Sequence, residues 1–235
     1  MAQYVIQPKK LMPYLPRGLE LDLYQGRCYV SLVGFLFDRV RVKRLPIPFH
    51  TSFEEINLRF YVRRKEADGT IKRGVVFIRE FVSRPAITFV ANWLYEEPYA
   101  TLPTRHRIEH MPQSLTVSYE WRSRDAWQSL AVEAASDAQP IATGSEEEFF
   151  TEHYWGYTKH RDGSTSGYKV QHPHWQTYPV RKYEISIDFG TLYGNGFTFL
   201  TDEWVTSVLL AEGSAVMVSA GRLIEAQSSD PRLPL

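Results

Sequence analysis

The chain has 235 residues, and its 27 Lys and Arg balance 27 Asp and Glu, so the formal net charge is zero. That balance excludes a basic nucleic-acid footprint as its leading character. With 43% hydrophobic and 23% charged residues it also lacks the composition of a disordered chain. The one cysteine, Cys28, excludes an internal disulfide framework and a thiolate zinc cluster.

At about 150 residues per domain, a single β-rich domain over residues 1–235 is the simplest organisation, with a core over about 8–224 and a polar, frayed tail after Ile224. The longest apolar stretch, near Tyr29–Phe37, is broken by Ser31, whereas a membrane-spanning helix needs about 20 mostly apolar residues. The first residues, MAQYVIQPKK, contain no signal-peptide core. A cytoplasmic protein is the default expectation.

In chain order, Pro8 to Leu15 reads as a short helix or turn that Pro13, Pro16 and Gly18 end. Arg27 to Val42 is a strand with a nearly continuous apolar run, the mark of burial on both faces. Pro46–Pro48 is a loop. Phe53 to Arg63 is the clearest strand: Ile56, Leu58, Phe60 and Val62 share one face, while Glu55, Asn57, Arg59 and Tyr61 share the other. Asp68-Gly69 is a turn, and Arg73 to Ser83 is the antiparallel partner strand. Pro85 to Tyr95 changes to helical period through Ile87, Val90, Ala91 and Leu94, with Ser83 as cap and Pro98 as stop.

Arg105–His110, Gln113–Arg124 and Ala126–Ala135 are three further strands. Ser145 to Tyr154 is the best helix signal, because Ser145 and Glu148 fit a capping box and Glu146–Glu148 suit the positive end of the helix dipole. Arg161 to Gly167 is a flexible hairpin tip. Tyr183, Ile185, Ile187 and Phe189 make a half-buried strand, Gly194–Gly196 a turn, and Thr206–Leu210 with Ser214–Ser219 a hairpin. About ten short strands and two or three short helices argue an α+β fold that is mostly antiparallel β.

No phosphate-cradling glycine loop and no nucleophile elbow are present. His106 and His110 read as surface histidines around a turn, and no metal site is expected. His172-Pro173-His174-Trp175 has an extended backbone, with Trp175 either plugging a barrel end or packing at a pocket mouth. The polar face Glu55–Asn57–Arg59–Tyr61 has two readings. It is a solvated sheet face, or it points into the interior, where Arg59 needs a carboxylate such as Glu80 or an anionic ligand.

The segments FEEINLRFYVRR, RGVVFIREFVSRPAI, NWLYEEPY, GSEEEFFTEHYWGY and HPHW closely resemble, in this order, the uncharacterised YqjF-like proteins, domain of unknown function family 2071. That family resembles a distant branch of the acetoacetate decarboxylase-like superfamily. The resemblance implies a barrel- or sandwich-like antiparallel fold around an internal cavity; a small-molecule ligand is suspected and no cofactor is expected. The related enzymes are oligomeric, so a homo-oligomer is compatible with it.

The decarboxylases form a Schiff base on a lysine activated by a neighbouring lysine. The matching positions here are Tyr99 and Ala100, and no lysine lies between Lys72 and Lys159. The resemblance also aligns Phe53-Glu54-Glu55 with the family's early-strand glutamate, which makes Glu55 the candidate pocket carboxylate.

Three functions remain in view. One is an enzyme acting on a small carbonyl or carboxylic acid compound without a Schiff base, with Glu55 as acid or base and Tyr99 as phenol donor. In this reading Asn57, Arg59, Tyr61, Glu80, His172 and Trp175 bind the ligand. The second is a non-catalytic binding or sensing protein. The third is an interaction protein whose cavity is filled by side chains. No nucleic-acid and no membrane partner is expected.

Overall fold

A computed structural model describes residues 1–42, 45–46 and 52–224. The longer strands are β1 (Ala2–Val5), β2 (Tyr29–Phe37), β3 (Phe53–Lys65), β4 (Ile71–Val82), β5 (Tyr99–Thr101) and β6 (Thr104–Met111). They continue with β7 (Ser114–Ser123), β8 (Ala126–Ala135), β9 (Trp155–Lys159), β10 (Thr165–Gln171) and β11 (Val180–Ser186). The helices are α1 (Pro8–Leu11), α2 (Pro85–Val90), α3 (Glu146–Thr151) and α4 (Phe189–Tyr193).

The main sheet runs from Ser207–Val208 through β1, β2, β3, β4, β9 and β10 to Met217–Val218, with β5 parallel to β4 at its side. A second sheet has the order β11, β8, β7, β6. Neither path closes on itself, so among the described residues these are open sheets and not the closed barrel of the expectation.

The core lies between the two sheets. Ile56, Leu58, Phe60 and Val62 of β3 meet a stripe of Leu115, Val117, Tyr119 and Trp121 from β7 in one apolar cluster. The period-two alternation of both strands makes this face. Contact is close enough that a methyl group on Gly34 would sit 2.9 Å from the Tyr119 ring.

Several local expectations need correction. The core begins at β1, not near residue 8: Ala2, Tyr4 and Ile6 are buried, and β1 pairs with β2. Residues 85–95 form α2 and then one π-helical turn, Ala91–Tyr95. Arg84, not Ser83, stands at its N-cap, without a side-chain cap bond. Of the expected face, Ala91 is buried and Ile87 half-buried, while Val90 is exposed; Phe89 and Trp93, off that face, are exposed as well.

Tyr183 is exposed because β11 is an edge strand. Residues 206–219 are not a hairpin: Ser207–Val208 pairs with β1, Leu210–Ala211 with Gln176–Tyr178, and Met217–Val218 with β10. Gly194 joins α4 to a 3-10 helix, Asn195–Thr201, so helical structure extends where only a turn was expected. Pro46 belongs to a two-residue strand, Leu45–Pro46; residues 47–51 of the expected loop and the tail after Ile224 lie outside the described residues.

Ser145 does cap α3, its Oγ accepting from the Glu148 N–H at 3.2 Å. Glu148 closes the turn on the Gly144 N–H at 2.7 Å. No helix among the described residues is long and apolar enough to cross a membrane.

Candidate functional site

The second face of β3 is interior. Glu55, Asn57 and Tyr61 retain 2%, 1% and 1% of their exposure, and Glu80 on β4 retains 1%. The solvated reading of this face is therefore overturned. The reason is what covers it. Phe149 and Phe150 of α3 pack on Tyr61 at ring distances of 5.3 and 5.2 Å, and the β9–β10 hairpin joins the sheet beside β4.

Antiparallel register sets Glu80 directly across from Asn57. Parallel pairing sets Tyr99 beside Glu80. The Tyr99 hydroxyl donates to Glu55 Oε2 at 2.9 Å, and Asn57 Nδ2 donates to Glu55 Oε1 at 3.0 Å. Glu80 sits across from Asn57 and beside Tyr99 in the ladder, and its charge bears on both Glu55 and Tyr99. Tyr99 is itself held by Asn92, whose side-chain amide bonds its N–H and its carbonyl at 3.0 Å each, as a strand partner would.

Sequence reasoning missed the rest of this cluster. Glu97 lies just before β5, close to Tyr168 of β10 and Thr158 of β9, both of which hold its proton affinity down against burial. The Tyr168 ring lies over Gly156, where a methyl group would come within 2.2 Å of it. The sequence does place Glu97 in the segment NWLYEEPY, but nothing in its spacing points to Tyr168. Glu96 holds the turn with left-handed backbone, φ 52°, which a non-glycine residue adopts at a cost. Its carboxylate accepts from the Arg161 N–H at 3.0 Å.

Three carboxyls thus share a region whose donors are neutral hydroxyls and an amide. Burial pushes the Glu55 carboxyl up. Burial, then the charges of Glu55 and Glu97, push Glu80 well above the ordinary carboxylate range. Burial lifts Glu97 to about 7. The Tyr99 and Tyr168 phenols are pushed well up by burial and stay protonated. Glu80 Oε2 is buried with no hydrogen-bond partner, a setting that favours the neutral acid over the charged carboxylate. A pair of buried carboxyls holding one proton is a matched acid and base.

Arg59 lies two residues further along the same face, but Glu80 is not its partner. A bulge between Leu58 and Arg59 sets Arg59 across from Phe77, and its Nη2 donates to the Phe150 carbonyl at 3.2 Å and lies 3.9 Å from the Met1 sulfur. A guanidinium suits this carbonyl because it closes α3 where the helix dipole is negative.

Tyr61 belongs to a second network. Its hydroxyl is 2.6 Å from Ser31 Oγ, which donates to Gln3, and its ring packs on His153 at 4.8 Å. His153 Nε2 and Arg73 Nε meet one oxygen of Asp22 at 3.1 and 2.6 Å. Burial holds His153 neutral, at about 4. Burial alone would raise Asp22, but the hydrogen bonds from His153 and Arg73 keep its carboxyl below the usual value.

His172 and Trp175 are not brought to the carboxyl cluster. Trp175 stacks on His172 at 4.1 Å and donates to Ser214 Oγ at 2.8 Å. His172 lines a surface groove with Thr70, Lys72 and Trp155, and none of Glu55, Glu80, Glu97 or Tyr99 lines that groove. An adjoining groove of about 430 Å³ is lined by Arg64, Lys72, Trp155, Tyr157, Lys169 and Arg222. There Lys72 lies 4.5 Å from the Trp155 ring centre and 2.9 Å from Glu66.

His106 lies within β6, not around a turn, with its Nδ1 2.6 Å from Glu54 Oε1. Among the described residues no group of three or more His, Cys, Asp or Glu is placed to hold a metal ion.

A family model described as DUF2071, uncharacterized conserved protein, matches residues 1–215. The uncharacterized protein YqjF of Bacillus subtilis (strain 168) is 36% identical over 69 residues, a match that spans 29% of this chain and 28% of YqjF. Among solved structures, the acetoacetate decarboxylase of Legionella pneumophila subsp. pneumophila str. Philadelphia 1 is similar, with TM-score 0.57, 12% identity, and coverage of 95% of this chain and 83% of that one.

The enduracididine biosynthesis enzyme MppR with HEPES bound is similar with TM-score 0.61 and 10% identity, over 97% of this chain and 85% of that one. MppR complexed with pyruvate is similar with TM-score 0.58 and 12% identity, over 96% and 87%. At these identities the likeness shows the fold alone: this chain has the acetoacetate decarboxylase-like fold.

Proposed function

Because the chain belongs to the DUF2071 family of uncharacterized conserved proteins, we propose that it uses the acetoacetate decarboxylase-like fold for acid–base chemistry on a small carbonyl compound, without a lysine Schiff base. The observation that carries this reading is the meeting of Glu55, Glu80 and the Tyr99 hydroxyl in the interior, with Tyr99 bonded to Glu55 at 2.9 Å. Tyr99 and not an amine stands beside the carboxyls, so the carbonyl carbon has no nitrogen nucleophile there.

The chemistry follows from the protonation states. A Glu55 carboxylate takes the proton from the carbon next to the carbonyl. The electrons move into the new C–C double bond and onto the carbonyl oxygen, and Glu80 gives its proton to that oxygen. The product is the enol, with the proton count conserved. Such a step serves an isomerase, a hydratase or a lyase. Pushing the two carboxyls to different proton affinities assigns the base and the acid.

Asn57 and Tyr99 hold the base in place. Arg59, next along the face, suits an acid group of the same compound. MppR, with the same fold, has been crystallised with pyruvate, a small carbonyl acid of this class.

The test is a thermal-shift screen of small keto acids, carboxylates and aldehydes, followed by solvent-deuterium exchange on every compound that binds. At about 100 times the dissociation constant a ligand adds roughly 2.7 kcal/mol, or several degrees for a domain this size. Deuterium incorporation in wild type, lost in both Glu55→Gln and Glu80→Gln while the variants still melt cooperatively, is the expected result. Saturable binding with no exchange and no product would leave a binding protein in its place. Exchange retained by both variants would remove this carboxyl pair from the chemistry.

A further inference from the structure

We infer that β6 is the interface of a two-fold symmetric dimer, in which this strand pairs antiparallel with its own copy around Ile108. β6 is an edge of the second sheet, paired on one side with β7 and on the other with no strand among the described residues. From Arg105 to Met111 every residue is exposed. An open edge of eight residues is a template for another strand, and a folded chain that leaves one bare normally shortens it, bends it or covers it.

The direction of the free backbone groups follows from the ladder. The Arg122 N–H donates to the Pro103 carbonyl at 2.9 Å, and the register pairs Thr104 with Trp121, Arg105 with Glu120 and so on to Met111 with Ser114. Hydrogen-bonded pairs alternate with non-bonded ones in an antiparallel ladder. Arg105, Arg107, Glu109 and Met111 therefore bond to β7. Thr104, His106, Ile108 and His110 turn their N–H and C=O outward, off the sheet.

A two-fold axis through Ile108 uses those outward groups. Ile108 exchanges both hydrogen bonds with Ile108 of the second copy, and His106 pairs with His110. The neighbouring pairs are the closer, non-bonded kind, and they set Arg107 against Glu109 on each side of the axis. Centres at Arg107, Glu109 and His106 fail on charge, and one at His110 sets Glu109 on Met111 with no ion pair. Moving the axis by one residue puts Arg107 on Arg107 or Glu109 on Glu109, and moving it to His106 puts Arg105 on Arg107. Like charges directly opposite destabilise a ladder, whereas opposite charges support it.

Burial agrees with this register. Ile108 is 42% exposed, yet it pairs with Val117 on the core-facing side of the sheet. A second Ile108 across the axis extends that apolar stripe from one copy into the other. Arg107 and Glu109 lie on the outer face, within 2.6 Å of each other, and become a four-charge cluster in the dimer. The pattern is self-complementary, as an interface between identical patches must be.

The test uses the full chain and two charge reversals. Sedimentation velocity at about 100 µM, well above a micromolar dissociation constant, is expected to show wild type at twice the mass of the chain. Arg107→Glu alone and Glu109→Arg alone each place like charges opposite one another, and each is expected to weaken association about tenfold or more. Mixed in equal amounts they restore opposite charges at both pairs and form the heterodimer. Ile108→Pro removes an outward N–H without touching the β7 ladder and leaves a monomer.

Unchanged melting of the charge variants, whose side chains are exposed, separates assembly from folding. A wild type that stays monomeric at this concentration overturns the proposal. So does a dimer that survives both single reversals, or a mixture that fails to associate.

Discussion

The Tyr99 hydroxyl reaches Glu55 Oε2 at 2.9 Å across 44 positions of sequence. Two hydrogen-bonding registers bring it there. β3 pairs with β4 antiparallel, and β5 runs parallel to β4, so the strand between them carries Glu80 into the same contact. The result is a phenol that stays protonated beside a buried carboxyl whose raised proton affinity the charge of Arg59, on the same strand, offsets only in part.

Tyr99→Phe removes that donor while keeping the ring. A buried charge-assisted hydrogen bond of this kind contributes about 1–3 kcal/mol, and the variant should be less stable by that amount at pH 7 in urea unfolding. Below the titration of Glu55 the carboxyl is neutral and the difference should shrink. An equal loss at pH 4 and pH 7 would show that the bond to the charged form is not what Tyr99 supplies.

Glu97 makes the stability depend on pH. Its carboxyl ordinarily titrates near 4.5 and is lifted to about 7 by burial. Between these values the folded chain keeps a proton that the unfolded chain releases. Stability is therefore highest below about 4.5 for this group and falls as pH rises through 7, by about 3 kcal/mol. Glu97→Gln cannot titrate, so its melting temperature should rise relative to wild type between pH 5 and pH 8. A constant difference across that range would rule the effect out.

Asp22→Asn tests the second buried network. His153 is held neutral by burial, at about 4, with Asp22 opposing that shift. Its ordinary value is near 6.5, so this group's contribution is full above that and is lost as pH falls toward 4. The variant weakens the acceptor shared by His153 and Arg73, and is expected to lose about 1–3 kcal/mol at pH 7. Histidine NMR should show His153 titrating at still lower pH. A His153 resonance that moves to higher pH would contradict the hydrogen-bond assignment.

Gly156→Ala tests how the floor of the site is built. Gly156 lies across from Tyr168 in the β9–β10 ladder, and an added methyl would lie 2.2 Å from the ring. The ring must turn away, which costs about 1–3 kcal/mol of overpacking and takes the Tyr168 hydroxyl from Glu97. Thermal unfolding reads the first effect, and an upward move of the Glu97 carboxyl by carbon NMR reads the second. A variant as stable as wild type would show that the ring has room.

Much of this fold was legible by periodicity. The alternation in β3, β4, β7 and β8 identifies strands and divides each into two faces, because side chains on a strand repeat every two residues. The Ser145 cap of α3 is a local signal of the same kind, since a cap and its N–H lie three residues apart. Residues 85–95 are helical as their period predicts, but 206–219 do not form the expected hairpin, because short segments follow their neighbours and not their own period. Three two-residue strands there pair with three different partners.

What the sequence by itself determined is the membership of the polar set: Glu55, Asn57, Arg59 and Tyr61 must share one side of one strand. Whether that side meets water was decided only by tertiary structure, because the atoms that cover it, Phe149, Phe150 and the β9–β10 hairpin, come from about a hundred residues later. The same holds for the chemistry. A carboxyl becomes an acid at neutral pH through burial and through the charge beside it, and both are properties of the assembled neighbourhood. Glu80 and Glu97 acquire them only when β4, β5 and β10 stand side by side.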